Sequence, residues 1–305
     1  MADTNVVDFL MKNKKSDGSF EILHPITNTG NVKTKESFEV MLTEDIGSFS
    51  NGDVIAADTP VETILRKMLQ KQIPPVYTAP SASITVDTAA KAGSYEAGTK
   101  LTPSLTATFT QNDAGALTKL AITKGGTEVT SGTSSPVTHS EEIVVDGTIT
   151  FKAVATYEAG AIKKDNFGAD YATGSIAAGS KESGAITYTG YRQYFYTTDD
   201  ATVAATTSAE VRAMTGGKKA AAAGNTFTVK VTKGQRRATF AYPATLRDVS
   251  SVKYVEFNND ESKTFFTKTT VDVEGAEGFD AISYKVYTYI PDQAFPSDMT
   301  FSVTI

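Results

Sequence analysis

The chain has 305 residues, a formal net charge of −6 and no cysteine. That length exceeds one typical core and predicts two domains plus an appendage. The missing cysteine excludes disulfides, thiolate metal sites and cysteine nucleophiles, and the acidic balance disfavours nucleic acid.

Hydrophobic residues make up 40% of the chain, enough for packed cores, and the 13 Tyr and 16 Phe favour strands. No run approaches the ~20 apolar residues of a membrane-spanning helix. The opening MADTNVVDFLMKNKK places acid before base, the reverse of a signal peptide. The expectation is a protein made and assembled in the cytoplasm, without membrane insertion.

Within residues 1–24, Val6, Val7, Phe9, Leu10 and Met11 suggest a short helix, followed by a loop at Ser16-Asp17-Gly18-Ser19. A strand-like piece follows, broken by Pro25 and Gly30. SFEVML (37–42) alternates as a strand, and Asn51-Gly52 signals a turn. An amphipathic helix is predicted from Asp58-Thr59-Pro60 to the stop at Pro74-Pro75, with Asp58 or Thr59 as its cap. Val61, Ile64, Leu65, Met68 and Leu69 form its apolar side. A helix of about 12 residues is marginal alone and needs a surface to pack on. Two turns of stripe do not distinguish packing on the preceding strands from packing on further copies or an attachment site.

From Tyr77 to Gly190 short alternating runs recur: ASITV (82–86), SLTATFT (104–110), KLAIT (119–123), EEIVV (141–145), ITFKAVATY (149–157) and AITYT (185–189). Turn clusters separate them, the pattern of an immunoglobulin-like sandwich without the cysteine pair or tryptophan of antibody domains. The Gly-, Ala- and Ser-rich stretch 159–184 reads as a long functional or mobile loop. A second β unit spans 191–305, with a capping box at Thr207-Ser208-Ala209-Glu210 opening a helix over 208–214 that Gly216-Gly217 closes. Six further strands are predicted: NTFTVKV, ATFAYPA, VKYVEF, TKTTVDV, AISYKVYTYI and TFSVTI. The last ends at Ile305, so the domain is expected to be complete.

Catalytic signals are sparse. His24 and His139 are the two histidines, too few for a zinc site with no other soft ligand. His139 reads as a strand histidine and His24, before Pro25, as a turn residue. Phosphate-cradling glycine motifs are missing. The acidic pairs Glu44-Asp45, Glu141-Glu142 and Asp199-Asp200 read as solvated turns, as do Asn258 to Glu261 and Asp165-Asn166 with Asp170. Neighbours on a strand face opposite ways and do not form a two-carboxylate cleft. Tyr191, Tyr194 and Tyr196 alternate on one stretch and are candidates for a surface-binding row. Tyr284, Tyr287 and Tyr289 repeat the pattern, and both rows have cross-strand packing as the alternative.

Two segments resemble structural proteins of tailed bacteriophages, variously head fibres, neck or tail fibres and baseplate-associated proteins. One is residues 23–80, with the GDVIAADTPVETIL run at 52–65. The other is 239–305, with AYPATLRDV (241–249), VEG and YKVY. The resemblance implies a non-enzymatic virion component without cofactor or metal, assembled in the host cytoplasm. It implies attachment to other virion proteins through residues 1–76, a homo-oligomer with a trimer favoured, and outward β domains that contact host glycan or protein. It supplies no catalytic residue. The expected architecture is mainly β. It comprises an N-terminal attachment segment with a short amphipathic helix (1–76), an immunoglobulin-like β-sandwich (77–190) and a C-terminal β-sandwich (191–305). A cell-surface adhesin or carbohydrate-binding module, a capsid decoration protein and a glycan-cleaving tail enzyme are the rival readings.

Overall fold

Thr, Val, Phe and Tyr alternating with polar residues commit most of this chain to strands, and the structure is mainly β. It is a computed structural model and describes residues 11–14, 20–23, 33–40, 46–257 and 260–305. The expected helix residues Val6 to Leu10, His24, Glu44-Asp45 and Asn258-Asn259 lie outside the described residues. Met11, expected at the end of a helix, instead begins a strand, Met11–Lys14, paired antiparallel with Phe20–Leu23.

The chain divides into two compact units. The first comprises the residues up to Thr78 together with Gly160–Ile176. Here Phe38–Glu39 pairs with Val54–Ile55, and Gly52 supplies the turn with φ +90°. Helix α1 spans Val61–Leu69, shorter than expected at both ends. Pro60 occupies the cap position and has no side-chain acceptor to offer, while Thr59, one residue before it, donates its Oγ1 to the Ala56 carbonyl. The helix stops at Gln70, four residues before Pro74. Pro74 bars the helical conformation at Ile73 and would clash with the Gln70 carbonyl in a continued helix. Ser48 takes the freed carbonyls: its N–H donates to Lys67 O at 2.7 Å and its hydroxyl to Gln70 O at 2.7 Å. Gly47, at φ +62°, allows this approach, since a Cβ there would overlap the Lys67 carbonyl.

Residues 71–77 then run against the inserted segment. Lys163–Lys164 and Asp170–Tyr171 form a small hairpin there. The Asn166 side chain accepts from Ile73 N at 2.7 Å and donates to Lys71 O. Tyr77 donates its hydroxyl to Tyr171 O and accepts from Lys163 N, each at 2.7 Å. The stretch expected as one long loop is therefore a built element that satisfies the backbone of the residues after α1.

The second unit comprises Ala79–Ala159 and Ala177–Ile305 and holds two tandem β-sandwiches. In the first, one sheet runs in the order Thr127–Gly132, Leu117–Lys124, Thr148–Tyr157, Ile186–Tyr191, Gly93–Glu96. Gly179–Glu182 pairs with the other end of Thr148–Tyr157. The last pairing in that order is parallel and the rest antiparallel. The facing sheet is Val137–Ser140, Ser104–Thr110, Ser81–Val86. This is an immunoglobulin-like sandwich. Leu105, Leu120, Ile122, Phe151 and Tyr188 fill its core. The Tyr188 hydroxyl donates to Ala90 O at 2.7 Å, and burial pushes its pKa up to about 12.

In the second sandwich, a five-stranded antiparallel sheet runs Gly216–Ala220, Gln193–Asp199, Arg237–Pro243, Ile282–Tyr289, Thr267–Val273. It faces a four-stranded sheet of Thr226–Val231, Met299–Thr304, Ser251–Tyr254, Asp260–Glu261. Phe227, Val229, Phe240, Phe301 and Val303 lie between the two sheets. The five-stranded sheet is covered on its other face as well. Helix α2 (Ser208–Arg212) places Val211 there, with Met214 just beyond, against Phe195, Ala241, Tyr284 and Val286. This explains why Arg237–Pro243 is buried along nearly its whole length instead of on alternate residues. Thr207 caps α2 as expected, with Glu210 completing the reciprocal box. Gly216-Gly217 do not close that helix. It ends at Ala213, and the glycines open an edge strand in which a Cβ on Gly216 would overlap the Tyr196 ring.

A single residue, Arg192, separates the last strand of the first sandwich from the first strand of the second. Its guanidinium donates to Asp280 O at 2.7 Å and lies 5.5 Å from the Phe279 ring centroid. Ala276 N donates to Ala97 O at 2.8 Å, and Arg212 forks onto the Glu96 carboxylate. Gly98 sits at φ +97° where a Cβ would overlap Phe279. Gly98→Val will therefore destabilise the protein by about 1–3 kcal/mol, the cost of a strained backbone position, read as a lower urea midpoint. An unchanged midpoint would show that this junction contributes nothing to stability.

Candidate functional site

Among the described residues, no three His, Asp or Glu side chains are grouped to hold a metal ion. His139 lies in the strand Val137–Ser140, with Nε2 3.7 Å from the Glu141 carboxylate, which also pairs with Lys124 at 2.9 Å. Asp199, Glu261, Asp165 and Asp170, all expected in solvated turns, have structural partners. Asp199 binds Arg237 through both oxygens, at 2.9 and 2.6 Å. Glu261 accepts from Val252 N and Lys263 N. Asp165 is buried, accepting from the Gln72 side chain and from Phe167 N and Ala169 N; the Gln72 bond comes first in holding its pKa below the usual carboxylate range. Asp170 pairs with Lys164 at 2.9 Å.

The five residues read as an attachment stripe fall on two sides of α1. Ile64, with Thr63 and Lys67, lines a 230 Å³ cavity whose other walls include the buried Phe49 and Ile55. Val61 is half-buried. Leu65 and Met68 are 43% and 44% exposed, and Leu69 is 83% exposed. Ile73 and Val76, just beyond the helix, are exposed too. No residue of α1 is fully buried. The helix therefore packs one edge on its own unit and leaves a contiguous apolar face in water. The Glu62–Arg66 pair at 3.1 Å borders that face and is itself exposed.

The tyrosine rows separate differently. Tyr194 is a core residue and not a surface platform: it is buried and stacks on Phe227 at 4.6 Å. Strand register sends the same face of Gln193–Asp199 inward again at Tyr196, which is half-buried and stacks on Phe227 at 5.4 Å. Tyr191 is half-buried, on a strand pairing with Gly93–Glu96. Tyr194 and Tyr196 thus pack between the two facing sheets, neither as a surface row nor as cross-strand pairs. In the second row Tyr284 and Tyr287 are buried. Tyr289 reaches a surface cavity at the end of its strand.

The AYPATLRDV tract is a corner of the second core. The buried Tyr242 donates its hydroxyl to Arg247 O at 3.2 Å, and burial raises its pKa. Asp248 is bridged by Lys268 and Lys285, each at 2.9 Å. Lys285 Nζ also donates to Leu246 O. This tract, one of those that carry the sequence resemblance, is therefore built for packing.

No family model matches the chain, and no curated protein matches it. Among solved structures, the fibronectin(III)-like modules of Clostridium thermocellum CbhA match over 73% of this chain and 93% of theirs. The identity is 14% and the TM-score 0.23.

The Asp248 bridge has a pH signature. Hydrogen bonds from Lys268, then Lys285, hold the Asp248 carboxyl at about 2, below its ordinary value of about 3.9. A depressed carboxyl pKa stabilises the fold above the unfolded value, and that contribution is lost as pH falls through the folded one. Asp248→Asn will lower stability at neutral pH and flatten its decline between about pH 4 and 2, followed by denaturant midpoints. Parallel curves for variant and unaltered chain would remove Asp248 from the acid response.

Proposed function

We propose that this chain is a non-enzymatic structural component of a tailed-phage virion, a fibre-type appendage. It is anchored and trimerised by residues 1–76 and presents its two β-sandwiches to the surroundings. Its partners are further copies of itself and other virion proteins, and its place is the virion after assembly in the host cytoplasm.

The observation that carries this reading is the uncovered apolar face of α1. Leu65, Met68, Leu69, Ile73 and Val76 are all exposed within 12 residues. Burying each such side chain contributes about 1.5–3 kcal/mol, and contiguous exposed apolar patches mark interaction sites. A nine-residue helix does not persist on propensity alone. Here Ser48 and the 163–171 hairpin hold the helix end and the residues after it in place, so the face is presented without being covered. The resemblance of 23–80 and 239–305 to phage structural proteins supplies the class of assembly. The one-residue junction at Arg192 suits a spacer, because it leaves no free linker between the sandwiches.

Particles assembled with the Leu65→Ser, Met68→Ser, Leu69→Ser triple variant as the sole copy will lack the protein in quantitative mass spectrometry. The purified variant will keep the strand circular dichroism of the unaltered chain. Full loading of the variant would place the anchor elsewhere, and failure of the unaltered chain to load on any particle would overturn the virion assignment.

A further inference from the structure

The end of the second sandwich remote from the Arg192 junction carries a cavity that none of the preceding roles uses. The strand Ile282–Tyr289 begins beside the junction, where Asp280 accepts from Arg192. It ends at Tyr289, about 23 Å further along at 3.3 Å per residue. Tyr289 and the end of the strand Ser251–Tyr254 meet there with the loop that leads into Met299. The cavity measures about 440 Å³, within the range of about 300–1,000 Å³ that small-molecule sites occupy.

Its walls are aromatic. Tyr254 and Phe257 pack at 4.6 Å between centroids, tilted by 32°. Tyr289 and Phe295 meet edge to face at 5.4 Å. Phe257 is 60% exposed although it is one of the largest apolar side chains. The turn that carries it is fixed: Phe257 N donates to Tyr254 O at 3.2 Å and Val255 N to Thr300 O at 2.9 Å. Glu256 accepts from Thr300 N at 2.8 Å. Pro291 and Pro296 stiffen the opposite wall, and Gln293 and Ser297 add an amide and a hydroxyl. The ring faces are therefore held ready before any ligand arrives, which lowers the ordering cost of binding.

Charge selects the ligand class. Among the described residues no Lys or Arg lines the cavity; of the charged chain neighbours of its lining, Glu256, Asp292 and Asp298 are acidic and Lys253 alone is basic. Phosphate, sulfate and sialyl groups meet like charge there. A purely apolar guest leaves the amide and hydroxyls unpaired. A pyranose ring presents a C–H face to an aromatic platform and a rim of hydroxyls to amide, hydroxyl and carboxylate oxygens.

We infer that this cavity binds a neutral hexopyranose unit of a glycan, with the sugar stacked on Phe257 and Tyr254. The inference rests on the cavity and its charge and not on the virion assignment, so each can fail without the other.

Saturation-transfer NMR on the full chain with lactose, maltose, cellobiose and N,N′-diacetylchitobiose tests it. At least one neutral disaccharide will receive saturation on the protons of one ring face, and 3′-sialyllactose will bind more weakly than lactose. Phe257→Ala will weaken that sugar at least tenfold, equivalent to about 1.4 kcal/mol, with an unchanged melting temperature, since Phe257 lies outside the buried core. Gln293→Ala, at a second wall, will weaken it too. Lack of transfer to any neutral sugar, or binding indifferent to both substitutions, overturns the proposal. So does a preference for choline or a proline-rich peptide, the other guests of aromatic pockets.

Discussion

The arrangement depends on the absence of slack at Arg192. A chain that passes from one sheet to the next with one residue between them must solve the contact of the two sandwiches in atomic detail. It does so with backbone as much as with side chains. Ala97 and Ala276 share a hydrogen bond, and Gly98 and Gly275 lack the Cβ atoms that would overlap their neighbours across the contact. The Arg212–Glu96 pair and the Arg192–Asp280 bond add charge-assisted contacts in a partly desolvated seam. The two sandwiches consequently form one compact unit. The end of the five-stranded sheet away from the seam is left free to carry an aromatic cavity.

The N-terminal unit follows a different logic. Its helix is short because Pro74 forbids continuation, and the residues after it pass into a backbone met by Asn166 at Ile73 N and Lys71 O and by Lys163 at Val76 O. An insertion between two strands of the first sandwich thus completes a unit whose other residues all precede Thr78. The polar bonds stabilise the position of the helix without consuming its apolar residues. The helix is thereby held in place while Leu65, Met68 and Leu69 stay exposed.

Much of this was legible in the sequence, for identifiable reasons. Alternation in SLTATFT, and the Thr- and Val-rich run TKTTVDV, located those strands to the residue. The capping box at Thr207 located α2 because both partners of the box lie within four residues. The two-sandwich, mainly β architecture followed from strand spacing. What failed depended on partners distant in the chain. Gly216-Gly217 resembled a helix stop, yet their small size serves Tyr196, some twenty residues earlier. The 163–171 part of the 159–184 stretch looked like a loop because its partners, residues 71–77, lie more than eighty residues before it.

The candidate site was half legible. Periodicity marked Val61, Ile64, Leu65, Met68 and Leu69, but only three-dimensional packing divides Ile64 from the exposed three. The alternation of Tyr194 and Tyr196 could not say which face of their strand meets Phe227. Phe257 reads in the sequence as the last residue of the predicted strand VKYVEF; the strand ends at Tyr254, and Phe257 stands on the turn beyond it, 60% exposed. Tyr289 carried a partial signal, as the last member of a row whose other two tyrosines are buried.

The central claim is that the open face of α1 is an assembly surface for further copies of the chain. Light scattering on a sizing column tests it most directly, with the intact chain beside the Leu65→Ser, Met68→Ser, Leu69→Ser variant. The account predicts three copies of the 32.4 kDa chain for the unaltered protein and one for the variant. A single copy for the unaltered protein, or the same multiple for both, would contradict it.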